Sequence, residues 1–114
     1  MNLREINRLV AEKVMDWAQG EYAKDKWYYK KNGQIHGMAK FVKDWNPSTN
    51  IADAMEVLDK FDAYQITKVV RDRYVVQIRN HKAFKSYKHE EKTLPLAICL
   101  AALKAVGVEL EVDD

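Results

Sequence analysis

The sequence predicts a three-layer α/β/α sandwich with a mainly antiparallel sheet and three helices, and three observations lead to this fold class. In three segments the apolar residues recur three or four positions apart, as they do in amphipathic helices. The segments between them are rich in β-branched and aromatic residues and are joined by short turns. Because each helix must bury its apolar surface, we expect helices on both sides of the sheet.

Length and composition narrow the class of protein. The chain has 114 residues, which fit one domain, predicted to span residues 1–114. Hydrophobic residues make up 47% of the sequence, which excludes an intrinsically disordered protein. The longest apolar run, residues 94–103, is shorter than the roughly 20 residues of a membrane-spanning helix. The first residues lack the apolar stretch of a secretory signal, so we expect an intracellular protein with no membrane partner.

The first predicted helix spans residues 3–17. Asn2 suits its N-cap, and Gly20 is suited to end it. Its apolar positions lie on one stripe, which is typical of a helix packed on a core. The stripe consists of Leu3, Ile6, Val10, Val14 and Trp17.

A short hairpin is predicted after the first helix. Residues 27–29 read Trp-Tyr-Tyr and favour a pleated strand, and the following Asn32-Gly33 is the strongest short signal for a hairpin turn. Residues 37–49 combine Gly, Asn and Pro with two isolated aromatic side chains. This composition indicates a loop held on the protein body by its aromatic residues.

The second half of the chain begins with a helix and continues with strands. The helix is predicted over residues 51–61, with Asn50 as its N-cap. Two strands, residues 64–70 and 74–80, follow and are joined by a short charged turn. A third strand, about residues 82–88, has weak alternation and several lysines, which places it near a sheet edge.

The last helix is marked by Thr93 and Pro95 at its start and by Gly107 at its end. The residues from Pro95 to Val106 are apolar nearly all the way round, so we expect this helix to be buried on most sides. Beyond Gly107, apolar and acidic residues alternate over residues 108–112. This alternation indicates either a last short strand or a frayed tail.

Charge alternates in sign along the chain. Residues 1–23 carry a formal charge of −1, residues 24–43 carry +5 and residues 44–67 carry −4. Residues 68–92 carry +5 and residues 93–114 carry −3, so the net charge is only +2. We expect the basic blocks to be extended segments and the acidic blocks to be helical.

Three stretches of sequence carry a resemblance to a known family. They read LREINRLVAEKVM at residues 3–15, WNPSTNIADA at residues 45–54 and LAICLAALKAVG at residues 96–107. Together they resemble the phage ABA sandwich domain family, over nearly the whole chain. The resemblance implies the layered fold, a phage or prophage source and thus a site of action in the cytoplasm of the bacterial host. It implies no reaction, cofactor or catalytic residue, and residues 79–92 match no motif of the family.

The segment formed by residues 45–50 is the first candidate binding site. It brings backbone N–H groups and short polar side chains to the start of a helix, an arrangement able to hold an anion. A structural role explains the same segment, because its polar residues can cap the helix and its tryptophan can anchor the loop. The candidate residues are Trp45, Asn46, Ser48 and Asn50.

Basic residues on the strands and their turns are the second candidate. Cations interleaved with aromatic rings can neutralise phosphates while the rings stack on bases. One positive surface would result if the later strands' turns and edge lay on the same side as the first hairpin. The alternative is an ordinary solvated sheet edge. The candidate residues are Lys30, Lys31, Arg71, Arg73, Arg79, Lys82, Lys85 and Lys88.

The sequence nominates no catalytic residue, metal site or cofactor. The three histidines and Cys99 show no spacing typical of metal ligands. Cys99 lies in the most apolar helix, where a thiol behaves as a small hydrophobic group. Ser48 and Ser86 lack the glycine-flanked turn of a nucleophilic serine.

The leading functional prediction is a non-enzymatic phage accessory protein that binds a host protein. Its contact surface would be the basic strand surface or residues 45–50. The alternating charge would also favour the association of two copies, so a homo-oligomer is an open alternative. Two other classes remain open, namely binding of nucleic acid or nucleotides, and a small uncharacterised enzyme.

Overall fold

A computed structural model describes residues 2–20, 24–80 and 85–109. The helical elements are α1 (Leu3–Leu9), a π-helical turn (Val10–Val14), a 3₁₀ turn (Val42–Asp44), α2 (Ile51–Leu58) and α3 (Leu94–Ala105). The strands are β1 (Trp17–Gln19), β2 (Lys26–Lys31), β3 (Gln34–Phe41), β4 (Ala63–Val70), β5 (Arg73–Asn80) and β6 (Lys85–Glu91).

The strands form two antiparallel sheets of three strands each. The first sheet has the order β1-β2-β3, and the second has the order β4-β5-β6. Three α-helices with antiparallel strands confirm the predicted α+β sandwich class, although the strands are divided between two sheets. The division follows the order of the chain: strands β1–β3 precede α2 and form one sheet, and strands β4–β6 follow α2 and form the other.

Helix α3 lies at the centre of the hydrophobic core. Its residues 97–103 are all buried, and it packs against β5, β6, α2 and the N-terminal helical segment. The inner face of the second sheet contributes Val76 and Ile78, which are both fully buried. Each such aliphatic side chain stabilises the fold by about 1.5–3 kcal/mol through its removal from water. None of the helices in the described part of the chain is long and apolar enough to cross a membrane.

The N-terminal helix is shorter than predicted. The Asn2 side chain accepts a hydrogen bond of 2.8 Å from the Glu5 N–H, which confirms the predicted N-cap. The helix then widens into the π-helical turn, where the Met15 N–H donates to the Val10 carbonyl at 3.0 Å. Asp16 has a φ of 58° and reverses the chain, so Trp17 begins β1. The prediction that Trp17 belongs to this helix is therefore wrong.

Packing explains why Trp17 lies in a strand although its spacing fits a helix. It is only 4% exposed, and its ring lies 4.7 Å from the ring of Trp45. In β1 it pairs with Tyr29 of β2, whose ring meets it edge to face at 6.2 Å. The spacing of three residues between Val14 and Trp17 is compatible with a helix and with a strand that follows it, so only the tertiary packing decides where Trp17 lies.

The predicted turn and cap signals are confirmed at three places. Asn32 and Gly33 have φ values of 54° and 79°, the pair of positive values that a type I′ hairpin turn needs. The Asn50 side chain accepts a bond of 3.0 Å from the Asp53 N–H at the start of α2. Gly107 has a φ of 86° and ends α3, as its position predicted.

Several element boundaries differ from the predictions. Strand β3 continues to Phe41, so the predicted loop over residues 37–49 begins later than expected. Strands β4 and β5 lie where they were predicted, and β6 spans Lys85–Glu91, three residues beyond its predicted end. The predicted start of this strand, residues 82–84, lies outside the described part of the chain. The predicted last strand or tail falls largely on residues outside the described part of the chain.

Candidate functional site

An open cavity of about 1030 Å³ lies between α1, the ends of β1 and β3, and the loop formed by residues 45–50. We call it the Trp45 cavity. Its volume is at the upper end of the range of ligand-binding pockets. The apolar part of its lining is contributed by Leu3, Trp27, Phe41, Val42 and Trp45.

The aromatic wall of the Trp45 cavity is anchored in the core. Trp27 and Trp45 are 3% and 1% exposed, so both rings are held in place by the core residues packed around them. Trp45 is held by its tilted contact with Trp17. A short main-chain hydrogen bond of 2.9 Å from the Val42 N–H to the Asp25 carbonyl ties the end of β3 to the segment before β2. The wall is therefore built on rigid elements.

The loop formed by residues 45–50 is braced by the protein itself. The Asn46 N–H donates to the Asp53 carboxylate at 2.9 Å, and the Asn50 N–H donates to the Asn46 carbonyl at 2.8 Å. The Ser48 N–H donates to the Asn7 side chain at 3.0 Å and joins the loop to α1. The Asn50 side chain already accepts a hydrogen bond from the Asp53 N–H at the start of α2, so this helix N-terminus is not free to hold an anion. The candidate binding site is therefore the cavity.

Two polar atoms in the wall of the Trp45 cavity are unpaired. The indole N–H of Trp45 and the hydroxyl of Ser48 are buried and have no hydrogen-bond partner in the described part of the chain. Both residues belong to the cavity lining. A buried polar group without a partner costs about 1–3 kcal/mol, so these two groups lower the stability of the loop and, being inaccessible, offer no contact to a ligand.

The charged part of the lining is mainly basic. Arg8 is engaged by Glu5 at 3.9 Å and by Glu12 at 3.1 Å. Three other cations of the lining make no ion pair with any residue that the structure describes; they are Arg4, Lys24 and Lys43. The lining also includes the carboxylate of Asp25. The cavity therefore presents an excess of positive charge beside an aromatic wall.

Of the loop residues predicted as a binding site, the structure places Trp45, Asn46 and Ser48 in the cavity lining. Asn50 is exposed and caps α2 instead. Arg4 and Lys43 were not nominated from the sequence, and Lys24 was considered only as one of the lysines around the aromatic residues of the first hairpin. The charge of +5 over residues 24–43 had indicated the segment that contains Lys24 and Lys43. Arg4 lies outside that segment, in α1.

The basic residues predicted as a second surface are distributed over both sheets. Lys30 lies in the first sheet and pairs with Asp16 at 3.0 Å, and Lys31 ends the same strand at the hairpin turn. The other described residues of this set lie in the second sheet or its turn, with Arg71 in the turn between β4 and β5 and Lys85 at the start of β6. Lys82 lies outside the described residues.

The outer face of the second sheet carries three of these basic residues. Cross-strand pairing places Arg79 opposite Ser86 and Lys88 opposite Gln77 on that face. Arg73 is paired with Glu90 at 3.0 Å, which neutralises part of the charge. A shallow cavity of about 230 Å³ lies beside Arg79. The structure thus divides the predicted basic surface into separate patches.

Residues able to bind metals or react as nucleophiles do not come together in the described part of the chain, where no group of three His, Cys, Asp or Glu side chains converges. Burial raises the pKa of the Cys99 thiol to about 12, which keeps it protonated. Burial also lowers the pKa of His89, and Lys104 lowers it further while Glu91 opposes the shift. His89 and Cys99 both lie away from the cavity lining.

Comparison with known proteins agrees with the architecture. A family model described as the phage ABA sandwich domain matches residues 8–103. The chain is also similar to a phage protein from Bacillus cereus ATCC 14579 whose crystal structure is known, with 26% sequence identity and a TM-score of 0.70. That similarity covers 97% of this chain and 93% of the other. No curated protein matches the chain at a significant level.

Proposed function

Since the chain belongs to the phage ABA sandwich domain family, we propose that it is a phage-encoded binding protein that engages a host protein through the Trp45 cavity. The observation that carries this proposal is the large open cavity, which combines apolar and aromatic lining residues with an excess of cations. In this proposal the protein works in the cytoplasm of the bacterial host and catalyses no reaction.

The chemistry of the Trp45 cavity suits an extended segment of a partner protein. Main-chain groups of such a segment can form hydrogen bonds with the polar side chains of the cavity lining. The apolar wall can take aliphatic or aromatic side chains. Arg4, Lys24 and Lys43 favour acidic side chains at the same segment. The partner segment is therefore expected to combine acidic and apolar residues.

The residue types of the lining support binding more than catalysis. The lining drawn from the described residues contains neither histidine nor cysteine, the usual general base and the most reactive nucleophile. The loop serine, Ser48, is 2% exposed, and its N–H is fixed on Asn7. An apolar wall beside exposed cations is typical of a recognition site.

Two charge reversals at the cavity rim test the proposal. We expect the Lys24→Glu, Lys43→Glu double variant to lose a defined host protein that the wild-type chain captures from infected cells. Affinity for that purified protein should fall about tenfold or more, because each reversed charge opposes an acidic partner by on the order of 1 kcal/mol. Isothermal titration with the purified partner measures the change.

A matched double variant on the second sheet, Lys85→Glu, Lys88→Glu, is the control. It makes the same change in net charge away from the cavity, so the host partner should remain bound. Capture of the same partner by all three proteins would contradict the proposal. Loss of the partner only from the control variant would move the contact to the second sheet.

Nucleotide or single-stranded nucleic-acid binding is a second candidate function for the Trp45 cavity. The specific observation in its favour is that the unpaired cations share the lining with the exposed ring of Phe41, because phosphates pair with cations and bases stack on aromatic groups. The hairpin surface supports it less, since Lys30 is already paired with Asp16.

Tryptophan fluorescence distinguishes this second candidate, because Trp27 and Trp45 line the cavity. Titration with a nucleoside triphosphate and with a short single-stranded DNA should change the emission if either binds. Phosphate contacts predict that the affinity falls steeply as salt is raised. Unchanged emission at low salt with both probes would exclude this candidate and leave the host-protein proposal standing.

A further inference from the structure

We propose that two copies of this chain associate through the exposed edge of β4 and join their second sheets into one six-stranded antiparallel sheet. This association is separate from the Trp45 cavity, because no residue of the cavity lining belongs to β4. The partner in this proposal is a second copy of the chain.

The first observation is that, among the described strands, β4 lies at an edge of the second sheet. It pairs with β5 on one side only, and no other described strand pairs with its outer edge. The strand has eight residues and contains no proline. From Ala63 to Lys68 its register with β5 is regular, so that segment is free of bulges. A regular edge of this length leaves a row of main-chain N–H and C=O groups ready to pair with another strand.

The second observation is that β4 exposes apolar side chains beside the core. Tyr64 and Ile66 lie opposite Ile78 and Val76, so they share the inner face of the second sheet. Val76 and Ile78 are fully buried by the core, whereas Tyr64 and Ile66 are 44% and 37% exposed. Helix α3 packs against β5 and β6, and β4 extends past that cover. The inner face of a second copy would continue the apolar surface across the edge.

The third observation is that the β4 sequence can pair with itself. If a two-fold axis passes beside Ile66, Ile66 faces its own copy and Tyr64 faces Lys68 on the inner face. Gln65 then faces Thr67 on the outer face. The register puts two apolar side chains together at the centre and keeps the two Lys68 side chains apart. Opposing β-branched and aromatic–cation pairs stabilise such a ladder.

The other long edge strands are less suited to self-pairing. Strand β6 reads Lys-Ser-Tyr-Lys-His-Glu-Glu, so charged residues are spread over its whole length. Strand β3 exposes Ile35 and Met38, but its register with β2 shifts twice, at Trp27/Tyr28 and at Tyr29/Lys30. Register shifts bend a strand and interrupt its ladder. Of these three edges in the described part of the chain, β4 alone combines regularity with an apolar face.

Sedimentation equilibrium of the full chain tests the proposal. We expect a reversible dimer for the wild type and at least a tenfold weaker dimer for Ile66→Lys, because two lysines would then face each other at the two-fold axis. Ile35→Lys is the matched control, since it adds the same charge to an exposed isoleucine on β3 and should leave the dimer unchanged. A monomeric wild type would overturn the proposal, and so would a dimer broken only by Ile35→Lys.

A cysteine variant tests the register independently of dimer strength. In Ile66→Cys the two new thiols face each other about 5 Å apart between Cβ atoms, so mild oxidation should link the copies covalently. The native Cys99 is buried and should not react. Ile35→Cys is the control and should form little covalent dimer. Equal linkage of both variants, or none in Ile66→Cys, would contradict the proposed register. Circular dichroism confirms that each variant is folded.

Discussion

At the scale of single residues, the burial of His89 makes the stability of the fold depend on pH. Its strand position opposes the buried Val76, so the ring lies on the inner face of the second sheet towards α3. Its Nδ1 has no hydrogen-bond partner in the described part of the chain, and its Nε2 lies 3.6 Å from Glu91. Burial, together with Lys104 on α3, holds the pKa of His89 below the usual 6.5, although Glu91 raises it in part.

The lowered pKa of His89 predicts a loss of stability in acid. Because the unfolded chain binds the proton more tightly than the folded chain, the contribution of neutral His89 is complete above pH 6.5. That contribution is lost as the pH falls from there through the lower folded-state pKa. We expect the free energy of unfolding to decline less between pH 7.5 and pH 5 in His89→Gln than in the wild type, measured by urea denaturation. The control is His36→Gln, a change at an exposed histidine, whose free energy of unfolding should decline as much as that of the wild type. An equally large decline in His89→Gln would contradict the prediction.

At the scale of single elements, the clearest agreement between sequence and structure is at the end of α3. The Gly107 N–H donates to the Lys104 carbonyl and the Val108 N–H donates to the Leu103 carbonyl, each at 3.0 Å. These two bonds form a Schellman motif, which needs a left-handed residue at Gly107. The motif pairs carbonyls that the end of the helix would otherwise leave unpaired.

Replacement of Gly107 tests this helix end. We expect Gly107→Ala to lower the free energy of unfolding by about 1 kcal/mol, because a Cβ is strained in the left-handed region. Gly37→Ala in β3 is the control, since Gly37 is not left-handed and its Cβ would meet open space. Thermal denaturation of the three proteins measures both effects. Equal stability of Gly107→Ala and the wild type would show that the motif contributes little.

Element boundaries were less predictable than the elements themselves. The hairpin turn, the caps at Asn2 and Asn50 and the strands β4 and β5 follow from local chemistry, and the structure confirms them. The exit of Trp17 from the first helix could not be predicted. It depends on a ring contact with Trp45, which is 28 positions away.

At the scale of the whole molecule, one core joins the two sheets. Helix α3 contacts the second sheet directly and packs on the N-terminal helical segment, whose π-helical turn contacts β1 of the first sheet. The two basic blocks of sequence, residues 24–43 and 68–92, contain most of β2–β3 and β4–β6, which agrees with the predicted division between basic strands and more acidic helices. Surface charge therefore follows the layers of the fold.

A single core predicts that both sheets unfold together. All three tryptophans lie in residues 17–45, so their fluorescence reports on the half that holds the first sheet. We expect Leu103→Ala in α3 to destabilise the protein by about 2–5 kcal/mol and to shift the fluorescence and far-UV circular dichroism transitions equally. Val69→Ala, at a side chain that is 54% exposed, should change little. Separate transitions in Leu103→Ala would indicate two independent cores.

The candidate site was predictable only in part. The composition of residues 45–50 marked a loop anchored by Trp45, and the structure places three of the four nominated residues in the wall of the Trp45 cavity. The basic charge of residues 24–43 indicated the segment of Lys24 and Lys43, but the meeting of Arg4, Lys24 and the loop could not be foreseen, because α1 and the segment before β2 reach the loop only in the folded chain. The hydrogen bond from the Ser48 N–H to the Asn7 side chain joins residues 41 positions apart and fixes the loop on α1 beside the cavity.

The sequence by itself determined the α+β class, the two charged strand blocks, the burial of the last helix and the turn and cap residues. These properties depend on side-chain periodicity and on contacts within a few positions of the chain. The tertiary structure decided that the strands form two sheets, that Trp17 belongs to a strand, and that cations gather beside Trp45. Each of these outcomes depends on packing between segments distant in sequence, whose relative free energies local patterns do not contain.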